Sequence, residues 1–298
     1  MGSVIGGSLA RGGHEVVLVD VAKEIIEAID QRGLTIEDKA GQKTTVKLKA
    51  TNDPSQVGVA DLVIVFVKCY HTETAVRQAA PMLGPNTILL SLQNGWGNAA
   101  LISKLSGPER LLVGVSYHSA VLLAPGHVLH AGQGPTYLGE LAGTVTPRVM
   151  SIAKLFESTG IGLTPSANVL TEIWSKLALN AVTLPTSASI RITADQLLRT
   201  SQMQLLMQEL LAEVVAVAGA QKISLTFDER WEAIRTLLNK LAPNTKGSML
   251  QDVERQRQTE IDVINGAIVE AGARFGIATP YNQSMLSLIK ALEQSFVN

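Results

Sequence analysis

Three apolar runs limit most strongly what this chain can fold into. They are residues 14–20 (HEVVLVD), 61–67 (DLVIVFV) and 87–92 (TILLSL). Each is rich in Val, Ile and Leu, and none alternates apolar with polar. Strands that read this way are covered on both faces, as in a parallel sheet carrying helices above and below. Segments with helical period lie between them. Residues 22–32 set Ile25, Ile26 and Ile29 on one face, and residues 72–82 and 98–105 also read as helices. Residues 33–36 and 44–48 predict short strands about a Gly-Gln turn. Residues 111–138 are Gly-rich and lack helical period, which predicts three or four strands added antiparallel to the sheet. A helix at 147–159 and a short strand at 161–164 complete this half.

Past residue 170 almost everything has helical period: 170–190, 194–199, 202–220, 227–241, 257–275 and 281–296. The expectation is an α/β dinucleotide-binding type of domain over residues 1–166, followed by an all-α domain over 167–298. The charges, 25 basic against 26 acidic with a net of -1, leave no cationic excess for a phosphate backbone, so nucleic acid is not expected as the main partner. No run of about 18 uninterrupted apolar residues is found, so no membrane span is expected. Cys69 is the only cysteine, which suits a reducing compartment, and the start lacks the pattern of a secretory signal. Together these predict a cytoplasmic protein. Cys69 also lacks the spaced partners of a zinc site, and no metal is expected.

The chain opens Met1-Gly2-Ser3-Val4-Ile5-Gly6 and reaches an acid, Asp20, at the end of the first apolar run. This matches the second half of a dinucleotide-binding turn, in which a glycine-rich turn leads into a helix and an acid ends the following strand. Gly2 fits the glycine that lets helix and strand pack closely; an ordinary Gly-rich helix start is the other reading. A carboxylate at Asp20 accepts ribose hydroxyls and repels a 2′-phosphate, which favours NADH; an acid that merely ends a strand is the alternative. Lys68 and Asn94 follow the second and third runs, and the carboxyl ends of strands line the ligand crevice of a doubly wound sheet. Lys176 and Asn180 share a helix face at i,i+4 spacing, continued by Thr183, and Pro185 should kink that helix just past Asn180.

Longer segments resemble the ketopantoate reductase family: GGHEVVLVD, VKCYHT, SLQNGWGN, IWSKLALNAV and, most specifically, SMLQDVERQRQTEIDVINGAIVEAGARFGIATPYN. The resemblance runs along the whole chain. It implies a Rossmann domain followed by a helical domain, and reduction of 2-dehydropantoate, or a related 2-oxo acid, with NADPH in pantothenate synthesis. Lys176 then matches the proton donor. Asn94, Asn180 and Ser248 match substrate-binding positions. Lys68, Asn94, Ala120 and Glu260 match cofactor-side positions, joining Gly2 and Asp20 from the dinucleotide-turn reading, where Asp20 stands against the family's NADPH. A homodimer is compatible with the apolar face of 202–220, as is ordinary core packing.

Leu184, Ala194 and Thr245 stand where many members of the family carry Asn. That weakens the assignment to ketopantoate itself but leaves the proton donor untouched. The first strand and the first two glycines of the fingerprint are missing from this sequence, which predicts a natural start further upstream. An inactive nucleotide-binding scaffold is the alternative from a different class.

Overall fold

A computed structural model describes residues 1–297. The chain forms two compact units. The first comprises residues 1–93 and 99–169; the second comprises residues 94–98 and 170–298.

The first unit begins with α1 (Gly2–Arg11), β1 (Val17–Val19), α2 (Lys23–Arg32), β2 (Leu34–Glu37), β3 (Lys43–Val46), β4 (Lys49–Thr51) and β5 (Ala60–Val65). It continues with α3 (Thr72–Gln78), β6 (Leu83–Ser91), α4 (Asn98–Ser106), β7 (Leu111–Ser116), β8 (Ser119–Ala124), β9 (His127–Gly132), β10 (Thr136–Gly139), α5 (Pro147–Glu157) and β11 (Leu163–Pro165). The order β11-β10-β7-β6-β5 makes the main sheet, in which β5, β6 and β7 run parallel and β10 runs antiparallel to β7. Among the described residues β1 pairs only with β4, in a separate parallel two-stranded sheet.

Two expectations are corrected here. The apolar runs do not form one continuous sheet. β5 is an edge strand, so Leu62, Val63 and Ile64 are only partly buried and not enclosed on both sides. The region 111–138 also divides. β7 is a parallel member of the main sheet, whereas β8 and β9 join β2 and β3 in a four-stranded sheet with β9 parallel to β2. Alternation along a strand sets which face is buried, but not which partner it pairs with.

The core of this unit gathers Val4, Ile5 and Leu9 from α1 with Leu90, Leu112, Leu138 and Phe156. α1 lies close to the strands through Gly6, where a Cβ would come within 2.6 Å of Leu18 Cδ2, and through Gly7, where it would meet Ile36 Cδ1 at the same distance. At Gly2 a Cβ would stand 3.7 Å from Phe66 Cβ, an ordinary contact. The close-packing role expected of Gly2 therefore falls to Gly6 and Gly7.

The second unit holds α6 (Val169–Ile190), α7 (Ser201–Ala220), α8 (Phe227–Asn239), α9 (Ser248–Glu254), α10 (Asn265–Phe275) and α11 (Pro280–Gln294). α7 is long and apolar enough to cross a membrane by composition, but Met207, Leu210, Leu211, Val214 and Val217 are enclosed in the helical core with Trp174, Leu177 and Ala181 of α6. Each such side chain contributes roughly 1.5–3 kcal/mol by leaving water.

Two predicted helices shrink. Residues 194–199 supply one 3-10 turn, Ala194–Gln196. The segment 257–275 becomes helical only from Asn265, after a 3-10 turn at Ile261–Val263. Its start is pulled out of helix because the Glu293 carboxylate accepts from both the backbone N–H and the hydroxyl of Thr259, each at 2.7 Å.

Pro185 leaves the Ala181 carbonyl without a helical donor. Asn265 Nδ2 fills that place at 3.0 Å and also donates to Asn282 Oδ1 at 2.9 Å. Asn282 Nδ2 donates in turn to Glu213 Oε2 at 2.7 Å. With its freed carbonyl satisfied, α6 continues past the proline to Ile190.

Candidate active site

In the helical unit, α6 buries Trp174, Leu177, Ala178, Ala181 and Val182 on one side. Lys176 therefore lies on the other side, half-buried as a residue with its ammonium end enclosed, while Asn180 is buried a turn further on. Lys176 Nζ donates to Asn94 Oδ1 at 2.8 Å, and Asn94 Nδ2 donates to Glu260 Oε2 at 3.2 Å. One side-chain amide thus joins a cation to a carboxylate, with its oxygen and its nitrogen each given a matching partner.

Asn94 is placed by its neighbours. Gly95 has φ 84, and a Cβ there would collide with the Val263 carbonyl oxygen, so glycine is required. The next N–H, of Trp96, donates to that same carbonyl at 2.8 Å, and the Trp96 ring meets Trp174 edge-on at 5.5 Å. Asn98 Nδ2 donates to the Asn94 carbonyl at 3.0 Å. Glu260 is set by the Thr259–Glu293 anchor beside it.

Burial pushes the Lys176 ammonium down to about 8, against the opposing pull of the Glu260 carboxylate. At pH 7 such a group remains about nine-tenths protonated while giving up its proton far more readily than an ordinary lysine. Asn180 is 7% exposed, and among the described residues its amide has no hydrogen-bond partner. Ser248, the first residue of α9, is exposed, and its hydroxyl also lacks a partner among the described residues.

Gly2, Asp20, Lys68 and Ala120 all belong to the first unit. Gly2 opens α1, whose first N–H groups point out of the helix start. Lys68 follows β5 at the entrance of a 3-10 turn, Cys69–His71, and is close enough to the Met1 ammonium to lower its pKa, although burial lowers it more. Asp20 follows β1, and its Oδ1 accepts from the Ala22 N–H at 2.9 Å. Ala120 lies on β8, partly buried. A helix start beside a lysine suits a pyrophosphate, and a carboxylate at a strand end suits a ribose, so this set fits a dinucleotide. Ala120 offers only a methyl group.

The structure thus brings Lys176, Asn94 and Glu260 into one hydrogen-bonded chain. Sequence reasoning missed Gly95, Thr259, Asn265 and Glu293, which hold that chain in place. Of these, the Asn-Gly step at Gly95 was the only visible signal.

A parallel α/β unit with this donor set, together with a helical unit carrying a lysine–amide–carboxylate chain, defines an oxidoreductase dependent on a pyridine nucleotide. The chain matches the family described as Ketopantoate reductase PanE/ApbA over residues 1–143, and the C-terminal region of the same family over residues 168–293. It belongs to the ketopantoate reductase family.

It is 32% identical over 297 residues to the 2-dehydropantoate 2-reductase of Archaeoglobus fulgidus, covering 98% of this chain and 95% of that protein. Against the protein of the same name from Halobacterium salinarum it is 30% identical, with 99% and 96% covered. Among solved structures, a PanE/ApbA family ketopantoate reductase from Ralstonia eutropha aligns with TM-score 0.90 and 33% identity, covering 98% of this chain and 95% of that one. A ternary structure of D-mandelate dehydrogenase with NADH and anilino(oxo)acetate aligns with TM-score 0.93 and 28% identity, covering 99% and 96%.

Proposed function

We propose that this protein reduces 2-dehydropantoate to pantoate, with Lys176 as the proton donor. The carrying observation is the Lys176–Asn94–Glu260 chain, which presents a buried, largely protonated ammonium of lowered pKa. Bound nicotinamide supplies the hydride. Lys176 donates a hydrogen bond to the ketone oxygen, stabilises the developing alkoxide and gives it a proton as the carbonyl carbon is reduced. Asn94 holds the ammonium in place. Glu260 keeps it charged before transfer and favours its reprotonation afterwards. The unpartnered Asn180 amide and the Ser248 hydroxyl take the polar groups of the substrate.

NADPH is the cofactor the family resemblance implies. The Asp20 carboxylate favours NADH, because it accepts ribose hydroxyls and opposes a 2′-phosphate. The likeness to D-mandelate dehydrogenase, solved with NADH, favours the same second reading, in which this site reduces another 2-oxo acid. The proposal places the enzyme in the cytoplasm, acting on a small 2-oxo acid; the apolar face of α7 that left a homodimer open is taken up by the helical core.

The test follows NADPH and NADH oxidation by absorbance with ketopantoate and 2-oxoisovalerate. Lys176→Ala should lower kcat by about 10²–10⁴. Wild-type rates in that variant, or turnover of neither acid by the wild type, overturn the mechanism. A kcat/KM ratio strongly favouring NADH overturns NADPH.

A further inference from the structure

β5 and β6 run parallel, with Val65 opposite Ser91 where both strands end. Two residues further on, Gln93 continues the link through its side chain. Gln93 Nε2 donates to the Val67 carbonyl at 2.9 Å and to Thr72 Oγ1 at 2.8 Å, and Gln93 Oε1 accepts from Ser91 Oγ at 3.1 Å. Both N–H groups and the oxygen of the amide are thus used. Gln93, Ser91 and Thr72 are all buried. A buried polar network that is satisfied in this way stiffens the segments it joins.

Val67 and Thr72 bracket residues 68–71, the 3-10 turn that Lys68 opens. The His71 N–H closes that turn by donating to the Lys68 carbonyl at 2.8 Å. One amide therefore holds both ends of the segment that presents Lys68. Asn94, next in the chain after Gln93, is held by other contacts, those of Gly95, Trp96 and Asn98.

We infer that Gln93 is a positioning residue for the dinucleotide: its buried amide keeps the 68–71 turn in shape, so that Lys68 meets the cofactor's pyrophosphate already in place. This inference rests on the reading of Lys68 as a cofactor-side residue and names the group that acts through it. A loop ordered before binding loses less freedom on binding, so its ligand is held more tightly. Without the clamp, that ordering falls on the binding step, and the cost appears in cofactor affinity and not in the chemical step.

The test is titration of NADPH, and of NADH in parallel, followed by nicotinamide fluorescence. Gln93→Met, of similar length but without the hydrogen bonds, should raise the Kd of the tighter-binding cofactor by about fivefold or more. Gln93→Glu, which sets a carboxylate oxygen against the Val67 carbonyl, should do at least as much. At saturating cofactor, kcat and the KM for the 2-oxo acid should stay within about threefold of wild type. Lys68→Ala should also weaken binding. In that background Gln93→Met should change Kd by less than about twofold, because a residue that acts through Lys68 has nothing left to place.

An equal loss in both backgrounds, or a wild-type Kd in Gln93→Met beside a weakened Lys68→Ala, overturns the inference while leaving the reductase reading intact. If the Gln93 variants do not fold, Thr72→Val decides: it removes one acceptor of the clamp and should raise Kd by about twofold or more, and a wild-type Kd overturns the inference. A wild-type Kd in Lys68→Ala overturns the placing of Lys68 at the cofactor, and the inference with it.

Discussion

Replacing Glu260 by Gln removes one charge from the Lys176–Asn94–Glu260 chain and leaves a side chain of the same shape, still able to accept from Asn94 Nδ2 at the 3.2 Å contact. Lys176 and Glu260 are held on the two ends of one amide, on the order of 6 Å apart, which at an effective dielectric of about 20 is worth about 3 kcal/mol, or about two pH units. The carboxylate raises the lysine's pKa and burial lowers it, with a net value of about 8. Without the carboxylate, burial acts unopposed and the value falls further.

The proton donor must be charged to act, so reduction in the wild type should lose rate as pH rises through about 8. In Glu260→Gln that loss should begin at lower pH. At pH 7 the protonated fraction drops and kcat/KM falls on the order of tenfold, while at acid pH the two enzymes converge. The assay is the pH profile of kcat/KM for 2-oxo acid reduction at saturating cofactor. A limb that stays at about 8, or one that moves upward, refutes the electrostatic coupling argued from the geometry.

Two further outcomes follow from the supports of the site. Gly95→Ala forces a Cβ onto a backbone at φ 84 and against the Val263 carbonyl, so it should displace Asn94 and lower kcat at least tenfold, while circular dichroism of the helices changes little. Asn265→Ala strips the Ala181 carbonyl of its donor and should cost about 1–3 kcal/mol, read as a fall of several degrees in Tm by calorimetry; an unchanged Tm contradicts the bridging role.

Much of this molecule is legible in the chain itself, because its signals are local. The apolar runs became β1, β5 and β6, and the period of Leu177, Ala178 and Ala181 against Lys176 and Asn180 put lysine and amide on one helix face. Spacing on a helix follows from backbone geometry alone. Chain order and motif spacing likewise sufficed to indicate the reductase family.

Pairing over long separations was decided elsewhere. That β9 lies beside β2, that β5 is an edge, and that Gly6 and not Gly2 is the close approach depend on which surfaces meet, and these partners are far apart in the chain. The same holds for the chemistry. Asn94, Lys176 and Glu260 are separated by 82 and 166 positions along their two hydrogen bonds. The residues that hold them act through contacts no local pattern announces: Thr259 caught by Glu293, and Asn265 completing the bond that Pro185 removes. Sequence determined which groups were present and how each helix would display them. Tertiary packing decided that a lysine would be buried beside a carboxylate, and burial together with that neighbour is what turns an ordinary ammonium into an acid suited to neutral pH.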